Sequence, residues 1–181
     1  MKLTIKEMTL IGICVALISV FSQISIPLPF SPVPITLQPL AVFLSGVILG
    51  GRLGSWTIVI YILLGSIGAP VFSGGKAGIS VVMGPTGGYL ISYPIVAYII
   101  GIGFEKNKGL LLKATSLIIA LIVCYTLGMI QLSIVTGMDF QKAFLVGVLP
   151  YFPLDIVKLI VAAYIGSRVK AGLKGNGLLL T

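Results

Sequence analysis

Residues 8–51 read MTLIGICVALISVFSQISIPLPFSPVPITLQPLAVFLSGVILGG, forty-four consecutive positions without a formal charge. A helix needs ~20 residues to cross a ~30 Å hydrocarbon core, so this run is too long for one span and about right for two. Its middle, Pro27-Leu-Pro-Phe-Ser-Pro-Val-Pro34, cannot be ordinary helix, because each proline removes a donor and restricts the residue before it. Helices are therefore predicted over 6–26 and 36–50, with irregular backbone between them.

The same arithmetic extends to the rest of the chain. Uncharged runs cover 53–75, 77–104 and 114–138, and the apolar stretch 143–167 is interrupted only by Asp155 and Lys158. Further helices are predicted over 54–68, 84–103, 112–136 and 143–169, with the Gly50-Gly-Arg-Leu-Gly54 turn on the inner side. The fold class that follows is all-α: a single compact bundle of six transmembrane helices spanning 1–181, with no room for a soluble domain. Continuous apolar runs disfavour a transmembrane β-barrel, whose strands alternate.

Composition excludes other classes. Of 181 residues, 57% are apolar and 9% charged, against roughly 25% charged in soluble chains; mean hydropathy is +1.18. The net charge of +8 is a topology signal rather than a nucleic-acid footprint. With the N-terminus inside, Lys2, Lys6, Arg52, Lys106, Lys108, Lys113, Arg168, Lys170 and Lys174 fall on the inner side, and only Lys76 and Lys142 outside. That asymmetry puts both termini in the cytoplasm. Thr4-Ile5-Lys6-Glu7 has capping-box spacing and no small-x-small site follows, so the first helix is read as retained rather than as a signal peptide. Cys14 and Cys124 are placed near the inner ends of their spans. With no histidine they imply neither a zinc site nor a disulfide framework.

Every unusual segment falls on the outer side. The Pro-rich segment, the glycine-rich Phe72-Ser-Gly-Gly-Lys-Ala-Gly78 and the outer third of the last helix point to an outward-facing pocket, since irregular backbone near lipid must be buried or line a wet cavity. Asp155 and Lys158, three apart, share a helical face with Tyr151 one turn outward. Ionisable groups within a span usually mark a ligand or ion path, although an ion pair that only fixes packing is the alternative. Ser73, Lys76 and the loop amides suit a carboxylate. Tyr89 and Tyr93 share a face, and Trp56 reads as an interfacial residue outside the site. Gly12, Ala16, Ser19 and Gln23 form a small, polar-edged stripe on the first helix that suits close approach by another helix, internal or external. There is no phosphate-binding loop and no acidic cluster, and only four carboxylates. The chain reads as able to bind a solute and unable to power its movement.

Pro32-Val-Pro-Ile-Thr-Leu-Gln38, Gly68-Ala-Pro-Val-Phe-Ser-Gly-Gly-Lys-Ala-Gly78, Gly84-Pro-Thr-Gly-Gly-Tyr-Leu90 and Pro153-Leu-Asp-Ile-Val-Lys158, in this order and across essentially the whole chain, resemble the BioY family. Its members are the biotin-specific substrate-binding subunits (S components) of energy-coupling-factor (ECF) transporters. The resemblance implies capture of biotin from the outer side of a prokaryotic cell membrane. It also implies docking on a membrane coupling protein (T component) that carries two ABC-type ATPases, and inward delivery by tilting of the whole subunit. No intrinsic cofactor, metal or catalytic residue is implied; ATP is used by the partners.

By that resemblance Asp155 and Lys158 hold the ureido ring; Tyr151, on the same helical face, is counted with the site. Ser73, Lys76 and Tyr89 neighbour the valerate carboxylate, and Gln38 and the loop before it close over the site. The family's docking motif of small residues four apart is matched by Gly12 and Ala16, with glycine where alanine is typical. The chemistry agrees: Asp155 accepts from urea N–H groups, Lys158 donates to the urea oxygen, and aromatic rings cover the bicycle. Another small vitamin, or a self-sufficient facilitator, are the alternative functions.

Overall fold

Thr4 opens the first helix. Its hydroxyl accepts the Glu7 N–H at 3.2 Å, and the Glu7 carboxylate accepts the Thr4 N–H at 2.8 Å, so the expected capping box is present. The computed structural model describes residues 3–105 and 109–178; Lys2, Lys106 and Lys108 of the expected inner charge cluster lie outside the described residues. Helix α1 (Ile5–Gln23) buries Ile11, Cys14, Val15, Ile18 and Ser22, while Ile13 and Val20 stay exposed. Apolar side chains on the uncovered face suit a helix solvated by hydrocarbon.

The proline-rich segment is more regular than expected. Ser25–Leu28 (β1) and Ser31–Thr36 (β2) form an antiparallel ribbon pairing Ser25 with Thr36 and Ile26 with Ile35, with an irregularity before Leu28. An all-α reading missed this hairpin. Prolines are tolerated because each strand of a two-stranded ribbon has a free edge, where a missing N–H breaks no ladder bond.

Helix α2 (Gln38–Ser66) is broken by Gly50, at φ +81° and ψ 176°, a conformation L side chains rarely adopt. The break reverses the chain. A Cβ on Gly54 would stand 3.1 Å from Gly46 Cα, and the Gln38 amide lies 2.8 Å from the Tyr61 hydroxyl. Twenty-three residues of straight helix would separate that last pair by about 35 Å. The two arms of α2 thus correspond to the two helices expected over 36–50 and 54–68, with the reversal concentrated at one glycine.

After a loop containing a 3-10 turn (Ser73–Gly75) and the short helix α3 (Ile79–Met83), which the sequence reading did not anticipate, α4 (Gly87–Gly103) packs against both arms of α2. The approach is close: a Cβ on Gly101 would meet Gly51 N at 2.1 Å, and one on Gly46 would meet the Ala97 carbonyl at 2.7 Å. Val42, Phe43, Val47, Ile58, Val96 and Ile100 are completely buried around this contact. Helix α5 (Leu110–Thr136) packs on α4 and ends at Gly137, at φ +70°. Asp139 then caps α6 (Phe140–Gly147) by accepting the Lys142 N–H at 2.7 Å.

The last expected helix, 143–169, is instead two: α6 and α7 (Phe152–Gly175), meeting at 52°. Pro150 falls in the break and Pro153 in the first turn of α7, where a missing N–H is harmless. Among the described residues, α1, α2 and α5 are each long and apolar enough to cross a membrane, and so is the bent pair α6–α7. Both cysteines are buried and free, near the middle of α1 and α5 rather than at the helix ends as expected.

Candidate ligand cavity

Tyr151, immediately before α7, starts the arrangement that shapes the site. Its hydroxyl lies against the Val33 carbonyl and 3.0 Å from Ser31 Oγ, while Ser31 donates to the Val146 carbonyl at 2.8 Å. The hairpin is thereby tied to both sides of the α6–α7 break. One turn on, Asp155 and Lys158 project together, as three-residue spacing requires. Lys158 Nζ donates to Asp155 Oδ1 at 2.7 Å, and the residues are only 6% and 8% exposed, Asp155 first. Tyr125 of α5 donates to the other oxygen, Asp155 Oδ2, at 2.8 Å. The carboxylate is held at both oxygens, and the pair carries no net charge.

Opposite stands a neutral chain. Gln38, first residue of α2, donates from Nε2 to the Tyr61 hydroxyl at 2.8 Å, and Tyr61 donates to the Val71 carbonyl at 2.8 Å. Val71 belongs to the loop after α2, which Ser22 and Gln23 of α1 also hold, through the Val71 and Pro70 carbonyls. The Tyr61 ring meets Phe72 edge to face, centroids 5.7 Å apart. Loop and hairpin are joined by a hydrogen bond from Ser73 Oγ to Ser25 Oγ at 2.9 Å.

A cavity lies between the Asp155–Lys158 pair and Gln38. Asp155, Lys158, Gln38, Ser73, Tyr89 and Tyr151 all line it. Lys76 does not; it is exposed at the end of the loop, where its carbonyl accepts the Phe72 N–H. Tyr89 contributes its ring, while its hydroxyl donates to the Gly147 carbonyl at 2.7 Å. Trp56 is no part of the lining.

Sequence reasoning put Tyr93 on a face with Tyr89 without assigning it to the site, and left Thr36, Phe72, Thr86 and Cys124 out of it; all five line the cavity, with Tyr125 behind it. Tyr93 was within reach, since it lies one turn from Tyr89. For Tyr125 the sequence gives only a phenol in an apolar helix; which helix faces Asp155 is a matter of packing. Gly12 and Ala16 lie on the exposed face of α1, and a Cβ on Gly12 would meet nothing within 4 Å.

Apolar helices around a buried, charge-balanced pair in a cavity lined by aromatic rings form the arrangement of a membrane-embedded solute-binding protein. The BioY family profile matches residues 1–175. The chain is 45% identical over 165 residues to the probable biotin transporter BioY of Pyrococcus horikoshii, covering 91% of this chain and 96% of that one. It is 41% identical over 165 residues to the biotin transporter BioY of Thermotoga maritima, with the same coverage. In structure it resembles the crystallised S-component for biotin from an ECF-type ABC transporter, with a TM-score of 0.84 and 27% identity, over 94% of this chain and 95% of that one. The chain belongs to the BioY family. It is a multi-pass protein of the prokaryotic cell membrane.

Proposed function

We propose that this chain is the S component of an ECF-type importer and that its ligand is biotin. The observation that carries the reading is the Asp155–Lys158 pair, 2.7 Å apart, buried in the wall of a cavity lined by aromatic rings. An acceptor and a donor fixed side by side match a urea, which presents N–H groups and a C=O together. Tyr89, Tyr93 and Phe72 supply aromatic surface for the bicyclic body. Ser73 stands where the carboxylate tail would end, and Lys76 would join it only by swinging over the mouth.

In this reading six helical crossings arise when each arm of α2 counts as one and the bent α6–α7 pair as another. The termini lie in the cytoplasm and the cavity opens outward under the hairpin. The chain needs no cofactor or metal of its own. It docks on a membrane coupling protein carrying two ATPases, which supply the work. Support for docking through α1 comes from Gly12 and Ala16, which turn away from the core and leave room for a partner helix.

The test of ligand assignment is a titration of biotin into the double variant Asp155→Asn with Lys158→Met. Deleting a buried pair whole is often neutral for folding, so this variant should fold and lose biotin affinity. Near-parental affinity would end the assignment of the pair. In parallel, thermal unfolding in detergent should shift upward with biotin and not with thiamine or riboflavin; a response to another vitamin would transfer the assignment. Docking is tested by Ala16→Trp, expected to abolish ATP-driven uptake while biotin binding by the isolated subunit stays intact. Uptake that persists without partner subunits would favour a self-sufficient facilitator.

A further inference from the structure

Behind the ion pair the packing is thin. Helix α5 packs on α4 and α6, and α7 packs on α2. Between α5 and the α6–α7 bend an apolar groove opens, lined by Ile122, Tyr125, Met129, Phe144, Val148 and Phe152. Tyr125 lines this groove and not the ligand cavity. Its ring is half-buried among apolar neighbours, yet its hydroxyl reaches across to Asp155 Oδ2 at 2.8 Å.

A phenylalanine would fill the groove as well, so the hydroxyl calls for its own explanation. A carboxylate has about four lone-pair positions. Lys158 takes one on Oδ1 and Tyr125 one on Oδ2, which fixes rotation of the carboxylate about its Cβ–Cγ bond. The remaining positions are then presented in one orientation. Fixing a binding group before the ligand arrives removes an ordering cost from binding. The donor is also neutral: a lysine in its place would leave the site with net positive charge in a low-dielectric setting, whereas a phenol adds none.

We propose that Tyr125 is a positioning residue for the ligand, acting from outside the cavity by holding Asp155 Oδ2 so that the carboxylate meets the ligand's N–H donors already oriented. This rests on the reading above, in which Asp155 receives those donors.

The experiment is a double-mutant cycle in biotin affinity, by calorimetric titration of the purified full-length protein. Tyr125→Phe, Asp155→Asn, their combination and Met129→Ala are compared, the last a groove residue without a bond to Asp155. Tyr125→Phe should weaken biotin binding about tenfold, in proportion to one charge-assisted hydrogen bond acting indirectly. Met129→Ala should stay within about twofold. In the Asp155→Asn background, Tyr125→Phe should cost less than about threefold, because the charge it orients is gone. An equal loss in both backgrounds would make the hydroxyl a support of the cavity wall and overturn the proposal. So would parental affinity in Tyr125→Phe, or a Tyr125→Phe protein that no longer folds. Parental affinity in Asp155→Asn would instead bring down the underlying reading, whatever Tyr125→Phe does.

Discussion

The cavity's two polar walls are built on different principles. On one side, Lys158 of α7 and Tyr125 of α5 converge on the Asp155 carboxylate of α7, so that both of its oxygens are held by donors from two helices. On α2, Gln38, Tyr61 and the Val71 carbonyl form a line of neutral hydrogen bonds that ties the start of a helix to a loop. The first wall concentrates charge and the second only dipoles. Removing one member of a buried ion pair leaves an uncompensated charge, costing several kcal/mol. Removing one member of a neutral line forfeits roughly 1 kcal/mol, and more only if a buried group is left unmatched. The α7 wall is thus suited to discriminating ligands, and the α2 wall to holding the roof.

The largest expected effect breaks the charged wall from one side. Lys158→Met alone should destabilise the ligand-free protein by about 3–5 kcal/mol, whereas Lys158→Met with Asp155→Asn should return to within about 1 kcal/mol of the parent. Chemical unfolding in detergent reads both, and equal losses would show that the walls do not differ in kind. Next comes Asp155→Asn, expected to cost about 2–4 kcal/mol in biotin binding, or about 30- to 1000-fold in affinity, since a donor now opposes a urea N–H. The smallest effect belongs to the neutral wall. Tyr61→Phe, which leaves the buried Gln38 amide without its acceptor, should lower stability by about 1–3 kcal/mol and change biotin affinity by less than about threefold. A loss there as large as that of Asp155→Asn would mean that the α2 wall recognises the ligand too.

The two walls also differ in how far they could be read from sequence. Asp155 and Lys158 stand out because charge within an apolar run is costly, and their spacing alone places them on one face. Tyr125, which completes the charged wall, lies 30 residues away on another helix; its partner follows from helix packing, which periodicity does not encode. Gln38 came from the family resemblance, while its bond to Tyr61 depends on the reversal at Gly50. That reversal was legible as a glycine turn, although its confinement to one residue was not. The hairpin over Ser25–Thr36 was hidden by its prolines, which exclude helix and are usually taken to exclude strands; a strand with a free edge, as in this ribbon, admits them. The α6–α7 break was written in Pro150 and Pro153, but an apolar run that continues through both reads as a single span.

The neutrality of the Asp155–Lys158 pair bears on the membrane's electric field. Moving one elementary charge across the membrane potential involves about 2.3 kcal/mol per 100 mV. An acid and a base bonded to each other three residues apart on one helix move together and contribute almost nothing to that term. Tyr125 adds no charge, and Gln38 and Tyr61 carry none. Any reorientation of the subunit would therefore carry this pair through the field with almost no electrical work.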